Sequence, residues 1–155
     1  MYCLKNKLLL LLVILLSITL IGCKQEYTQN IIVEENIFFQ KDEEYYVYFY
    51  KDNCPYCEDV FDTINEYISN PTDLPLYVCK IDESSKINRK YPSGGQGSNE
   101  AYWVDNIKKY EDLHIAGVPS LIKITKEDIS FFVTSGRKNI LEYFENLKQK
   151  EEVVE

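Results

Sequence analysis

The sequence predicts an α/β fold in which a central mixed sheet of four to five strands is flanked by helices. Three observations predict it. The run Tyr45–Tyr50 (YYVYFY) is aromatic, β-branched and of strand length, and apolar spacing turns helical a few residues later. A second strand candidate at residues 76–81 follows that helix, giving strand–helix–strand with a right-handed parallel crossover. From Gly117-Val118-Pro119 onward, two short apolar runs flank a polar turn and lead into a closing amphipathic stretch. The chain has 155 residues, room for one domain with its own core.

At the N-terminus, Lys5 and Lys7 precede an almost unbroken apolar run over residues 8–21. The run has the length of a signal-peptide core and falls short of the ~20 residues a spanning helix needs. It ends at Leu20-Ile21-Gly22-Cys23, which resembles the bacterial lipobox, where a small residue precedes a cysteine that is lipidated and becomes the mature N-terminus. On that resemblance residues 1–22 are a lipoprotein-type signal peptide, Cys23 is the lipidation site and residues 23–30 are a polar tether. The other reading is an uncleaved N-terminal anchor with Cys23 incidental. Both put the remainder outside the cytoplasm, where disulfides persist.

Residues 31–39 are expected to give a strand and then a short helix. The run Tyr45–Tyr50 belongs at the sheet centre, since a strand buried on both faces is apolar throughout. Cys57, Val60, Phe61, Ile64, Tyr67 and Ile68 form one helical stripe, with Glu58, Asp59, Asp62 and Glu66 off it. Asn70-Pro71 ends that helix, because the residue before proline avoids the α region. Residues 82–98 read as a polar loop; its Gly94-Gly95-Gln96-Gly97 lacks the Gly-Lys-Ser/Thr ending of a phosphate cradle. Residues 99–113 are predicted as a helix with Trp103, Ile107 and Tyr110 along one side. Residues 120–124 and 129–134 then pair as an antiparallel hairpin across Lys126-Glu127-Asp128. Gly136 breaks the run, and Ile140, Tyr143, Phe144 and Leu147 mark the closing helix. The domain is thus expected over residues 31–150, with an acidic tail at 151–155.

The formal charge of −8 argues against nucleic acid, whose phosphates demand clustered Lys and Arg, and against an electrostatic hold on anionic lipid. Cysteine usage is more informative. Cys3 leaves with a signal peptide and a lipidated Cys23 is capped, so Cys54, Cys57 and Cys79 remain. Three cysteines cannot make a framework of paired bridges; one close pair and one buried spare describe a redox site with a passive core cysteine.

The placement of the pair has a physical logic. Cys54 ends a strand and Cys57 opens a helix, where orphan N–H groups favour a thiolate, the form that attacks disulfides. Pro55 fits the first turn because its missing N–H costs nothing there. Cys57 heads the apolar stripe and is expected to be shielded, which leaves Cys54 as the attacking cysteine and Cys57 as the resolving one. Glu58 and Asp59 oppose the helix effect on the thiolate. Two plainer readings stay open: half of a zinc site, although no second CxxC or Cys/His cluster completes it, and a purely structural disulfide. Cys79 reads as a small core hydrophobe and His114 as surface or structural.

The segment from Val47 to Cys57 (VYFYKDNCPYC) resembles the active-site strand and helix start of thioredoxin-like proteins, and Ile115-Ala116-Gly117-Val118-Pro119-Ser120-Leu121 resembles their cis-proline loop. The resemblance spans roughly residues 45–148. It implies a thioredoxin-like fold, a cis bond between Val118 and Pro119, and a loop that faces the Cys54 sulfur and pairs with a substrate chain as an added strand. There are departures. Cys-Pro-Tyr-Cys is the glutaredoxin form of the motif, yet the chain after Pro119 lacks the glutaredoxin Gly-Gly. Asn53 stands where thioredoxins carry Trp, and Tyr48 stands where they carry a buried acid. Residues 80–102 look like an insertion.

The resemblances together imply a thiol–disulfide oxidoreductase, lipid-anchored at the extracytoplasmic face of a bacterial membrane, with no cofactor and no metal. Its expected partners are exported proteins with disulfides, bound at Val118 and Pro119, and a redox partner at the membrane. The alternative is a non-catalytic binding lipoprotein with a static disulfide.

Overall fold

The computed structural model describes residues 26–87 and 104–152. The signal-like run, Cys3, Cys23, Gly94-Gly95-Gln96-Gly97, Trp103 and residues 153–155 lie outside them. The sheet is five-stranded: β1 (Ile31–Ile32), β2 (Tyr45–Tyr50), β3 (Leu76–Lys80), β4 (Ser120–Ile124) and β5 (Ser130–Ser135), in the order β1-β3-β2-β4-β5. β1, β3 and β2 run parallel, while β4 is antiparallel to both β2 and β5. The helices are α1 (Pro55–Glu58), α2 (Phe61–Ser69) and α3 (Arg137–Glu152). This mixed sheet flanked by helices is the expected α/β class and agrees with a thioredoxin-like fold.

β2 lies at the centre, as its composition predicts, with Tyr48 paired to Val78 on one side and Leu121 on the other. Its alternation builds two cores. Tyr45, Val47 and Phe49 enter one, with Cys79, Ile81, Leu113, Ile122 and Ile124. Tyr46 and Tyr48 enter the other, with Ile64 and Tyr67 of α2 and Ile140 and Phe144 of α3. Each fully buried side chain of this size is worth roughly 1.5–3 kcal/mol, so the centre of the fold sits around β2.

Four expectations change. The helix after Cys57 is two pieces, because Val60 (φ −104°, ψ 0°) interrupts it; the stripe survives, since Ile64 N–H still reaches the Val60 carbonyl at 3.1 Å. Residues 105–113 form no α-helix. Asn106 has φ +63°, and the backbone there bonds to β5 instead of to itself: Asn106 N–H to the Ser130 carbonyl and Ser130 N–H to the Ile107 carbonyl, both at 2.9 Å. A single 3-10 turn at Tyr110–Asp112 follows.

Residues 26–30 of the expected tether pack against the domain. Tyr27 is only 5% exposed, and Asn30 is tied to β3 through Val78 N–H and the Leu76 carbonyl, each at 2.9 Å. The closing helix also runs two residues into the expected acidic tail, through Glu152. Gly136, with φ +78°, makes the turn between β5 and α3 that the sequence assigns to it.

Candidate active site

Asn53, at φ +54°, turns the chain from β2 into α1; asparagine tolerates this left-handed region better than most residues. Cys54 is the N-cap of α1 and Pro55 its first residue. The Cys54 carbonyl accepts the N–H groups of Cys57 (2.9 Å) and Glu58 (3.0 Å), while its Sγ accepts the Cys57 N–H at 3.2 Å. Because α1 is a single turn, this local N–H, rather than a long helix dipole, favours negative charge on the Cys54 sulfur. Cys54 and Cys57 are joined in a disulfide with their Cα atoms 5.2 Å apart, inside the ordinary range.

The second half of the site comes from the loop before β4. The Val118–Pro119 bond is cis, and the Val118 carbonyl lies 3.9 Å from the Cys54 Sγ. The loop is held from both ends: Ser120 Oγ donates to the Gly117 carbonyl at 2.6 Å, and Gly136 N–H donates to the Pro119 carbonyl at 2.8 Å. Val118 is half-buried, and Pro119 and Ser120 are buried.

One expectation is corrected here. Cys54 is no more open than Cys57, at 4% and 5% exposure, although Tyr56 between them is 60% exposed. The reason is tertiary: Cys54 lies in the angle between α1 and the Val118 loop, brought together over 64 residues of chain. What separates the two sulfurs is contact rather than exposure, since Cys54 meets both the helix N–H and the loop carbonyl.

No family model matches the chain, and no curated relative is found.

The remaining candidates fall on either side of the site. Tyr48 is fully buried, and burial raises its hydroxyl far above the ordinary tyrosine value, so it stays neutral where a buried acid would carry charge. Tyr27 packs edge-on to it, with ring centroids 6.0 Å apart. The two hydroxyls are buried beside each other, each acting on the other's ionisation, and neither has another hydrogen-bond partner among the described residues. Cys79 is a free, buried thiol pushed up to about 12, chiefly by burial; it sits on β3 opposite Phe49. His114 is half-buried and lines a small cavity with Ser120, Ile122 and Phe132. Among the described residues no group of three or more His, Cys, Asp or Glu side chains could hold a metal ion. No described helix is long and apolar enough to cross a membrane.

Two residues near the site were not singled out from sequence. Arg137, the first residue of α3, places its Nη1 2.7 Å from Asp59 Oδ2 and offsets one of the two carboxylates that follow Cys57. Tyr27 was hidden in a polar segment. Neither carries a local signal, since the first pairing spans 78 residues and the second rests on a lone aromatic without periodicity.

Proposed function

We propose that the chain is an extracytoplasmic thiol–disulfide oxidoreductase, lipid-anchored through Cys23, that exchanges disulfides through Cys54 and Cys57. The observation that carries this reading is the disulfide-bridged pair at a helix start, with the Cys54 Sγ 3.9 Å from the carbonyl that precedes cis-Pro119. In the reducing direction the Cys54 thiolate attacks one sulfur of a substrate disulfide and displaces the other as a thiolate, which takes up a proton. The Cys57 thiolate then attacks the Cys54 sulfur, the mixed disulfide breaks, and the second substrate sulfur leaves as a thiol. Two electrons and two protons pass from the dithiol to the substrate. The reverse sequence makes a substrate disulfide, and the relative stability of the two forms of the pair sets the direction. A substrate chain laid along Val118 would present its sulfur to Cys54 by strand addition.

The decisive experiment is a redox titration of the domain from Lys24 onward, with thiol capture reporting the pair. A midpoint near about −270 mV marks a reductase fed by a membrane donor, and one near about −120 mV marks a disulfide donor. A Cys57→Ser chain should trap mixed disulfides with its clients. One observation favours a second reading, a binding module with a static disulfide: both cysteines are buried. A pair that stays oxidised at every poise, with partner binding unchanged after both cysteines become serine, would establish that reading instead.

A further inference from the structure

Tyr27 joins the start of the described chain to the redox end of the domain. Its ring centroid lies 4.7 Å from those of Tyr50 and Phe61. Tyr50 is the last residue of β2, the strand that leads to Cys54, and Phe61 is the first of α2, four residues after Cys57. The chain reaches this position because Asn30, at φ +51°, turns it from the β1 edge onto the sheet face that packs against α2 and α3. Tyr27 is held by ring packing against Tyr48, Tyr50 and Phe61.

This placement fixes a short leash. Cys23 and Tyr27 are four residues apart, so the chain between them spans at most about 14 Å; a free tether reaching Ile31 would span roughly 28 Å and let the domain turn. With a formal charge of −8, attraction to anionic lipid does not orient the domain, which leaves the leash to do so. Building on the lipid anchor and the redox pair proposed above, we infer that Tyr27 turns the Cys54–Cys57 end toward the bilayer, so that the pair serves a membrane protein whose reacting sulfurs lie at headgroup level. The opposite end, where Tyr45 starts β2 and the 125–129 turn joins β4 to β5, points away. The six residues of β2 hold the two ends about 20 Å apart.

The test is energy transfer from a dye to an acceptor on the headgroups of phosphatidylethanolamine/phosphatidylglycerol vesicles. The lipidated full chain is used with Cys54→Ser and Cys57→Ser, and the dye is attached through Tyr56→Cys or through Lys126→Cys. Cys79 is buried and stays unlabelled. Transfer from position 56 is expected to exceed that from position 126 several-fold. An eight-residue Gly/Ser insertion between Gln25 and Glu26 should bring the ratio toward one. Equal transfer from both positions in the uninserted chain, or stronger transfer from position 126, overturns the orientation. A chain that does not float with the vesicles overturns the anchor as well, so the two failures are distinguishable.

A second measurement uses the chain with both cysteines intact and a membrane-anchored reporter disulfide, set at the headgroups or raised on a rigid helical spacer of about 30 Å. Exchange is expected several-fold faster with the low reporter, and equal rates overturn the orientation. If the pair exchanges with neither reporter nor with dithiothreitol, the redox reading fails, and the energy-transfer result alone decides the orientation.

Discussion

The guanidinium of Arg137 meets the carboxylate of Asp59 at 2.7 Å, tying the first residue of α3 to the turn between α1 and α2. The Arg137 charge thus offsets that of Asp59, and Glu58 remains as the opposing carboxylate next to Cys57 in the chain. Both partners are half-exposed, so the effect should be screened by salt. Arg137→Gln is expected to slow alkylation of the reduced Cys54 by iodoacetamide several-fold at neutral pH and low salt, and less at 1 M salt. Fold stability should hardly move. A rate unchanged at low salt would show that the pairing has no electrostatic reach to the sulfur.

The tyrosines of β2 give a stability contrast. Tyr46 hydroxyl donates to Asp73 at 2.6 Å and meets the Tyr143 hydroxyl at 2.7 Å, whereas the Tyr48 hydroxyl is buried with only the Tyr27 hydroxyl beside it and makes no well-formed hydrogen bond among the described residues. Tyr46→Phe should therefore cost about 1–2 kcal/mol, while Tyr48→Phe should be neutral or stabilising by up to about 1 kcal/mol, because an unsatisfied hydroxyl is removed. Urea unfolding midpoints of the two variants check this. A Tyr48→Phe loss as large as that of Tyr46→Phe would contradict it.

Stability should fail in alkali before it fails in mild acid. Burial pushes Tyr45, Tyr67 and Cys79 up to about 12, and raises Tyr27, Tyr46, Tyr48 and Tyr77 further. Folded values above unfolded ones mean stability that is complete below the unfolded values, 10.0 for tyrosine and 9.0 for cysteine, and lost as pH climbs toward the folded values. The urea midpoint should fall steadily between about pH 9 and about pH 12, the window those values define. Absorbance of ionised tyrosine from the buried group should appear only as the protein unfolds. Titration of all the tyrosines near their ordinary value in a folded chain would refute this.

Gly136→Ala isolates backbone conformation from sterics. Nothing lies within 4 Å of where a Cβ would stand, yet φ is +78°. The expected cost is about 1 kcal/mol, the ordinary penalty for a side chain in the left-handed region, and Gly136→Asn should cost less. Thermal unfolding of the two variants distinguishes them; a cost well above that range would point to strain passed to the Pro119 carbonyl, which accepts the Gly136 N–H.

What the sequence reveals about this fold follows from how local each signal is. Tyr45–Tyr50 and Ser120–Ile124 are legible to the residue, because strand-length apolar runs bounded by polar turns report on the backbone directly. The apolar stripe after Cys57 is legible too, but a stripe at helical spacing cannot show the break at Val60, which leaves the spacing intact. The same blindness extends a helix across Ile107 and Tyr110, where the positive φ of Asn106 and the pairing of Ile107 with Ser130 decide otherwise. At the site, the spacing of Cys54 and Cys57 fixes their proximity. The covering of Cys54 by Val118 and the pairing of Asp59 with Arg137 depend on how distant segments fold together, and no local pattern carries that.

The segment that displaces the expected helix also finishes the sheet. Asp105 Oδ1 accepts the Phe132 N–H at 2.6 Å, and the backbones of Asn106 and Ile107 bond to both polar groups of Ser130, so the first half of the outer edge of β5 is occupied. At the other margin β1 ends after two residues. Among the described residues neither border therefore offers a long row of unpaired amides on which a second copy could grow an intermolecular sheet, and such rows are the usual seeds of aggregation. Molecules crowded side by side would be spared that route to clumping, and the safeguard lies in how the sheet borders are closed.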